Sequence, residues 1–486
     1  MPFQYTEEYE EMFGISEREK KFDEALEEYL KQDWRQKEWR EEWYIEDLKK
    51  NVFQMDKQQI GISLANYLIN KFHIKYVDDV IYLYNIKTGL YEDNAETYLA
   101  SKIEHILTEV KRPDIVTNHF IEEVLGRIKR MTYIPFYDAQ VPPYFIPLKN
   151  CIVDIRPCGF GILEYSPFFF FKTKLNTNYK EDAKCPNFDS FIKMISDGEI
   201  EEGKLWQIIG YCFYLDNPLQ KAFILHGEGG NGKSTLLSVI EALIGSQNVS
   251  HLSLQQIETE KFAIGALENK YLNIYADLSD TELKTTGKFK NLTGGDPIEV
   301  ERKFGGTFHL KTGLKFLFSC NRIPAANDDT DAYYRRWEIL TFKFKFDESE
   351  DRKKHILKTL TTEEEKSGIF NKSMPFLLQL LRENKLIGEH TTDQKRDLYI
   401  RLSDSIQAFV QDMLEYSTGY IIKDELYTGY MKYCDRNHIP VASEKRFFSR
   451  IRRFVNTDEQ RISIAGERKR VYMGIKWKEP LDNVYL

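Results

Sequence analysis

Between about residues 216 and 345 the chain alternates short, almost purely apolar runs with polar stretches rich in glycine. The runs "AFIL" (222–225), "YLNIYAD" (271–277) and "LKFLFSCN" (314–321) show no polar–apolar alternation. That marks strands buried on both faces, and loops and helices between them predict a parallel α/β sheet. Upstream, from about 60 to 215, helical patterns ("GISLANYLINKF", "AETYLASKIEHILTEV") mix with short strands such as "DDVIYLYN". "YFIPLKNCIVDI", "SPFFFF" and "CPNFDSFI" follow. The four phenylalanines at 168–171 predict a buried strand, since an uncharged aromatic run seldom stays exposed. From about 400 to 477 the pieces "SDSIQAFVQDMLEY", "KDELYTGYMKYCDRN", "SEKRFFSRIRRF" and "RISIAGERKRVYMGIKW" read as three helices closed by a hairpin, the outline of a winged helix. Residues 1–55 are charged and helix-prone, and Trp34, Trp39 and Trp43 recur on one helical face. Such a stripe docks either on the chain's own next domain or on a partner.

A chain of 486 residues exceeds one ordinary core, which predicts about two to four domains. The expected division of this multidomain α/β protein is a charged helical segment (1–55), a mixed α/β domain (56–200), a nucleotide-binding core with a central parallel sheet (201–345), a helical connector (346–400) and a winged-helix domain (401–486). No apolar run approaches the roughly 18 residues of a membrane span. The acidic N-terminus lacks the order of a signal peptide, so a cytoplasmic location and no membrane partner are expected. The six cysteines are scattered without a CxxC pair and signal neither zinc nor a disulfide framework. The net charge of −8 hides an asymmetry. Residues 1–50 carry 16 Asp/Glu against 9 Lys/Arg, while residues 441–477 carry 10 Lys/Arg against 4 Asp/Glu. An acidic head and a basic tail imply different partners.

The chemistry begins after "AFIL". Gly227, Glu228, Gly229, Gly230, Asn231, Gly232, Lys233 and Ser234 fit G-x-x-x-x-G-K-[ST], and Thr235 continues into the helix "STLLSVIEALIG". Strand, loop and helix in that order form a phosphate-binding loop. Its glycines let backbone N–H groups wrap phosphates, Lys233 is expected to reach the β- and γ-phosphates of ATP, and Ser234 to hold Mg²⁺. The strand 271–277 ends at Asp277, a candidate metal carboxylate beside the loop; acids also end strands for purely local reasons. Asn321 at the tip of the strand 314–321 either orients the attacking water or starts the "NRIP" turn. Arg335 and Arg336 in "YYRRWEILTF" suit neutralisation of a transferring phosphoryl group, although paired arginines are usually a solvated face.

Taken in order, "GEGGNGKST", "NIYADLSD", "KNLTGGDPIEVERKFGG", "FLFSCNRIP" and "RRW" resemble the superfamily 3 helicases, hexameric AAA+ replication motors. The nearer likeness is to the phage/plasmid and poxvirus primase–helicase branch, with the Rep initiator helicases of staphylococcal pathogenicity islands similar across most of the chain. The resemblance implies Walker A roles for Lys233 and Ser234, the Walker B metal role for Asp277, sensor 1 for Asn321, and a trans arginine finger for Arg335 or Arg336. Relatives often carry two adjacent Walker B acids, whereas here Ala276 precedes Asp277; the water-activating base is therefore Asp277, Asp280 or Glu228. "IEVERKFGGTFHLK" (298–311) reads as a β-hairpin with Lys303 and Phe304 beside its tip. In the family the matching hairpin grips single-stranded DNA, a task that suits a cation and an aromatic ring. Lys311 and Lys315 would add to a basic channel.

At the C-terminal end, Lys445, Arg446, Arg450 and Arg453 lie on the third helix of the winged-helix outline, and Arg468, Lys469 and Arg470 at the turn of its wing. A basic helix with a basic wing is the outline of a duplex reader, here of origin DNA; the same fold also serves protein contacts. The 55 or so residues ahead of the middle domain are too few for a primase, so a separately encoded primase is an expected partner. The expectation is a homohexameric Mg·ATP-dependent DNA helicase that initiates replication of a mobile element in a bacterial host and moves 3′ to 5′. An origin-melting ATPase without processive unwinding is the alternative. A small-molecule kinase fits less well, because "EVERKFGG" stands where no acceptor lid is evident.

Overall fold

The computed structural model describes residues 16–31, 50–156, 160–301, 307–310, 313–346, 350–437, 439, 441–452, 454–455, 459–464 and 467–478. Trp34, Trp39 and Trp43 lie outside them. Helix Glu17–Leu30 opens with a capping box between Ser16 and Glu19, which satisfies two otherwise orphaned N–H groups. It lays Phe22 against Phe145 and Phe168. It also sets Asp23 2.7 Å from the buried guanidinium of Arg156, which pairs with Asp154 as well.

Helices Lys57–Lys71, Ala95–Glu109 and Asn118–Met131 pack around an antiparallel meander of Ile74–Val77, Val80–Asn85 and Leu90–Glu92. Asp78 and Asp79, read as part of a strand, instead form its first turn, with φ of 49° and 61°. Two left-handed residues match the twist of a two-residue hairpin, and aspartate tolerates that region. A second small sheet comprises Phe145–Pro147, Ile152–Asp154 and Gly161–Leu163.

Phe169, Phe170 and Phe171 are buried as expected and Phe168 is half-buried, but the run is a turn leading into irregular chain, not a strand. Phe168 meets Phe22, Phe169 meets Phe145, and Phe170 meets Tyr82 and Tyr91. Phe168 and Phe169, adjacent in the chain, both meet Phe22, whereas a strand sends successive side chains to opposite faces.

The central sheet has five parallel strands, β1 (Ala222–His226), β2 (Val249–Ser250), β3 (Leu272–Tyr275), β4 (Lys315–Cys320) and β5 (Trp337–Thr341), in the order β5-β1-β4-β3-β2. All residues of β1 and β4 are buried, which explains their unbroken apolar text. Phe223, Leu225 and Leu317 face the layer that includes helices Pro186–Ile195, Glu199–Phe213 and Glu363–Glu383. Ala222, Ile224, Phe316 and Phe318 face a second layer with Phe289, Tyr333 and Trp337. A Cβ on Gly210 would stand 2.7 Å from the carbonyl of Ser373, so the close approach of helix Glu363–Glu383 there requires glycine.

Beyond the connector helices, Ser405–Met413, Lys423–Arg436 and Glu444–Ile451 pack on an antiparallel sheet of Leu414–Ile422, Glu459–Ile464 and Glu467–Trp477, the last strand lying in the middle. The strand Leu414–Ile422 is an addition to the expected three helices and hairpin. Leu414 and Ile421 are buried, the residues between alternate half-buried and exposed, and the strand pairs with Glu467–Trp477. Helical text that runs to Tyr416 therefore gives way to strand at Leu414, where cross-strand partners are supplied from far along the chain. Among the described residues no helix is long and apolar enough to cross a membrane.

Candidate nucleotide site and the opposite sheet edge

β1 delivers the chain at His226 into Gly227–Gly232, and the next residue opens helix Lys233–Ile244. The glycines are needed sterically. A Cβ on Gly227 would lie 2.3 Å from the Asn231 amide nitrogen and 2.6 Å from the Phe342 carbonyl, and one on Gly232 would lie 2.8 Å from Ile195. Gly230 and Gly232 also adopt φ of 80° and 85°, a region costly for side-chain-bearing residues. The Lys233 ammonium is buried and donates to the carbonyls of Gly227 (2.7 Å) and Glu228 (2.8 Å) and to Asn231 Oδ1 (2.9 Å). It thus shapes the loop from within. The N-cap residue is Gly232, which has no side chain to cap the helix start; a helix N-terminus with its dipole favours an anion. Ser234 is exposed and Thr235 half-buried on that first turn.

The strand register brings the other two motifs to the same edge. Cys320 pairs with His226 across β4 and β1, and Gly227 N donates to Cys320 O at 3.2 Å. Asn321, the next residue, is exposed. Asp277 lies two residues past β3, exposed and left-handed at φ 64°, its N–H 3.4 Å from Ser319 Oγ. Burial pushes the Cys320 thiol up to about 12, and it feels both the Lys233 and the Asp277 charges; the two sites flank it. Within the sheet β4 lies between the loop strand and the Asp277 strand, and so sets Asn321 between the loop and Asp277. Order within a sheet is set by long-range pairing that local text does not record.

Of the other candidate bases, Glu228 pairs with Lys345, which holds its carboxylate below the ordinary range. Asp280 lies 3.9 Å from Arg446 of the C-terminal unit. The segment after β5 straps the loop: Phe346 N donates to Gly230 O at 2.6 Å and the Asn231 amide to Phe342 O at 3.1 Å. Sequence reasoning missed this strap and also His226. The imidazole is held down at about 4, by burial first and by the Lys233 charge second, and its Nδ1 is buried without a hydrogen-bond partner. Its only textual signal is its place just ahead of the first glycine.

Arg335 and Arg336 occupy the opposite edge. β5 runs parallel to β1 and starts with Trp337 opposite Ala222, so the arginines lie roughly 16 Å, five strand residues, from where the loop departs. Arg336 is buried, donating from Nε to Thr293 Oγ1 at 2.8 Å and from Nη1 to the Ala332 carbonyl. Arg335 is exposed and donates to Gln220 Oε1 at 3.2 Å. Structure therefore separates two residues that the text presents as equivalent.

The limbs of the hairpin, Ile298–Glu301 and Thr307–Leu310, pair antiparallel, and Val300 and Leu310 anchor them in the core. Lys303, Phe304 and Lys311 lie outside the described residues. Lys315 is no channel residue. It is wholly buried, donates to the Tyr214 carbonyl, and burial pulls its ammonium down to about 8.

In the C-terminal unit Lys445 and Arg468 are exposed. Lys469 lies 3.8 Å from Glu467 and Arg470 3.5 Å from Glu459; both belong to the strand Glu467–Trp477 and not to the turn before it. Arg450 is turned inward to Asp404 at 2.6 Å. Asp404 caps helix Ser405–Met413 and, being buried, holds that cation in place. The helix Glu444–Ile451 thus shows fewer outward cations than its text suggests. Arg446 and Arg450 border a small cavity of about 50 Å³ with Asp280, Glu282 and Arg322. Arg453 lies outside the described residues.

Residues 225–336 match a family of unknown function, DUF5906, and residues 23–197 match the family described as D5 N terminal like. The Acanthamoeba polyphaga mimivirus protein "Putative helicase L207/L206" is 23% identical over 270 residues, 49% of this chain and 28% of that protein. The chain thus spans little more than a quarter of that relative's length. Two apo structures of the NrS-1 C-terminal region overlap it with TM-scores of 0.42, at 11% and 14% identity, covering 85% of this chain and 98% of theirs. A TM-score of 0.42 marks a loose overlap in outline.

Proposed function

We propose that this chain is an ATP-driven DNA helicase of the replicative kind, a superfamily 3 AAA+ motor that works as a homohexamer. The observation that carries the reading is the division of its groups between the two edges of one sheet. The glycine loop with Lys233, Asn321 and Asp277 shares one edge, and the exposed Arg335 stands on the other. An arginine so placed cannot serve its own loop, yet in a ring of like subunits it reaches the next one. The likeness to a viral protein named as a helicase, and the match to the D5 N terminal like family, support the same reading.

In this reading the loop N–H groups and Lys233 bind and orient the triphosphate, Asn321 positions the attacking water, and Arg335 of the neighbouring subunit stabilises charge on the transferred phosphoryl group. The residues fit a magnesium ion bound largely through substrate phosphates. Ser234 presents an exposed hydroxyl on the turn after the loop and Asp277 an exposed carboxylate at the same end of the sheet, and such a site needs only one or two protein ligands. Ser234 and Asp277 would hold the ion, which would supply charge neutralisation at the phosphates. Asp277 is the preferred water-activating base, since Glu228 is paired to Lys345 and Asp280 points to the C-terminal unit.

Lys303 and Phe304 at the hairpin tip would grip one strand and move it 3′ to 5′. Three helices with a three-stranded sheet, exposing Lys445, Arg446, Arg468 and Arg470, suit a winged helix that reads origin duplex, with a separate chain supplying primase. The test is strand displacement on 3′- and 5′-tailed forks with Mg·ATP. The expected outcome is unwinding of the 3′-tailed fork only, lost in Lys233→Ala. DNA-stimulated hydrolysis without displacement on either fork would favour an origin-melting ATPase instead.

A further inference from the structure

Directly behind Arg335 lies a cluster of charges that the proposed mechanism does not use. Glu338, on β5, has no exposed surface; Lys204 approaches it at 2.5 Å and Lys395 at 3.3 Å. Lys395 also meets Glu389 at 2.5 Å, and Lys221 meets Glu389 at 2.7 Å. His390 borders the group, 3.8 Å from Glu338. The five charges come from a helix (Lys204), the residue before β1 (Lys221), β5 itself (Glu338) and the connector (Glu389, Lys395). They are buried or nearly so, and burying that many charges is costly unless each is held by partners.

Lys221 is the member that leaves the cluster. Besides Glu389, its ammonium donates to the backbone carbonyl of Arg335 at 2.7 Å. Gln220 accepts from the Arg335 guanidinium, and its own amide donates to Gly294 O at 3.3 Å. The dipeptide entering β1 thus grips Arg335 by backbone and side chain at once. The same strand ends, five residues later, in the glycine loop.

We propose that Lys221, seated on the Glu389–Lys395–Glu338 cluster, is a positioning residue that fixes Arg335 for use in the neighbouring subunit's nucleotide site. The inference rests on the trans-arginine reading above and deepens it. A long, exposed arginine contributes to a transition state only if it arrives in a narrow range of positions, and its own side chain has one hydrogen bond to do so. Lys221 supplies the missing constraint at the backbone, and through Glu389 makes the connector a determinant of where Arg335 points.

Lys221→Met is the suitable variant. The cluster holds three ammonium groups against two carboxylates, so removing one ammonium leaves it balanced, and the aliphatic stem keeps the packing. In DNA-stimulated ATP hydrolysis the variant is expected to lose about tenfold in kcat with KM for ATP unchanged. Mixed with Lys233→Ala chains, which have a dead loop but an intact Arg335, its sites should recover severalfold, because the neighbour now supplies a well-held arginine. Arg335→Ala mixed with Lys233→Ala is the parallel control. Recovery in both mixtures supports the inference. Recovery with Arg335→Ala but not with Lys221→Met overturns it while leaving the trans arginine standing. Recovery in neither removes the trans arginine, and the inference with it. A Lys221→Met chain that melts well below the parent would make the effect one of folding; Lys221→Gln, which keeps a donor toward Arg335 O, then decides, and if it too is inactive in a folded state the inference fails.

Discussion

The two edges of the central sheet treat charge in opposite ways. At the edge where the strands end, Glu228, Ser234, Asp277 and Asn321 are exposed. The one buried ammonium, Lys233, bonds to loop oxygens that a ligand's phosphates can replace. At the edge where the strands begin, Glu338, Lys204, Lys395 and Arg336 are buried and bonded to permanent protein partners. Both edges are rich in ionisable groups, so composition does not distinguish them. What differs is whether the partners belong to the protein. Groups that exchange partners must stay near solvent, while buried charges persist only in closed networks.

The comparison can be broken at either edge. Removing Lys233 should have the largest effect on function and little on folding: Lys233→Ala is expected to lower ATP turnover by about a thousandfold or more, the scale of losing a phosphate-stabilising cation, with an unchanged circular dichroism spectrum. Turnover near the parent's would dissolve the nucleotide edge. At the opposite edge the order reverses. Glu338→Ala takes the carboxylate from buried Lys204 and one of two carboxylates from Lys395, and should cost about 3–5 kcal/mol of stability in urea denaturation. A cost below about 1 kcal/mol would mean that the network is not closed.

His226 sharpens the contrast, being a buried ionisable group on the exchangeable side. Its native pKa of about 4 lies below the ordinary 6.5, so the unfolded chain takes up a proton that the native site refuses. Its contribution is present above pH 6.5 and is lost as pH falls toward 4, on the order of 3 kcal/mol in all. Unfolding free energies at about pH 8 and about pH 5 should therefore diverge more in the parent than in His226→Gln; equal slopes would mean that the imidazole is not held neutral. The smallest effect is expected where the C-terminal unit meets Asp280. The Arg446 pair is half-exposed and 3.9 Å long, so a double-mutant cycle should return less than about 1 kcal/mol.

Much of the candidate nucleotide edge was legible because its signals are local. A glycine loop between a buried strand and a helix constrains its own backbone, and Lys233 bonds to oxygens within six residues of itself. The apolar text of β1 and β4, the helices at 57–71 and 95–109 and the hairpin limbs at 298–310 are likewise carried by neighbouring residues. Text failed where the deciding partner was distant. Leu414–Ile422 became a strand because residues 471–477 pair with it. Lys315 vanished into the core because Tyr214, 101 positions away, receives its ammonium.

By itself, then, the sequence determined most of the elements, the glycine loop between a buried strand and a helix, and the candidates Lys233, Asp277, Asn321 and the arginine pair, all through short-range patterns. Only the tertiary structure decided that β4 separates Asp277 from the loop, that Arg335 is presented while Arg336 is buried, and that Lys221 and Glu389 stand behind it. Those outcomes depend on strand order and on the pairing of buried charges, which join residues far apart in the chain, 114 positions for Lys221 and Arg335.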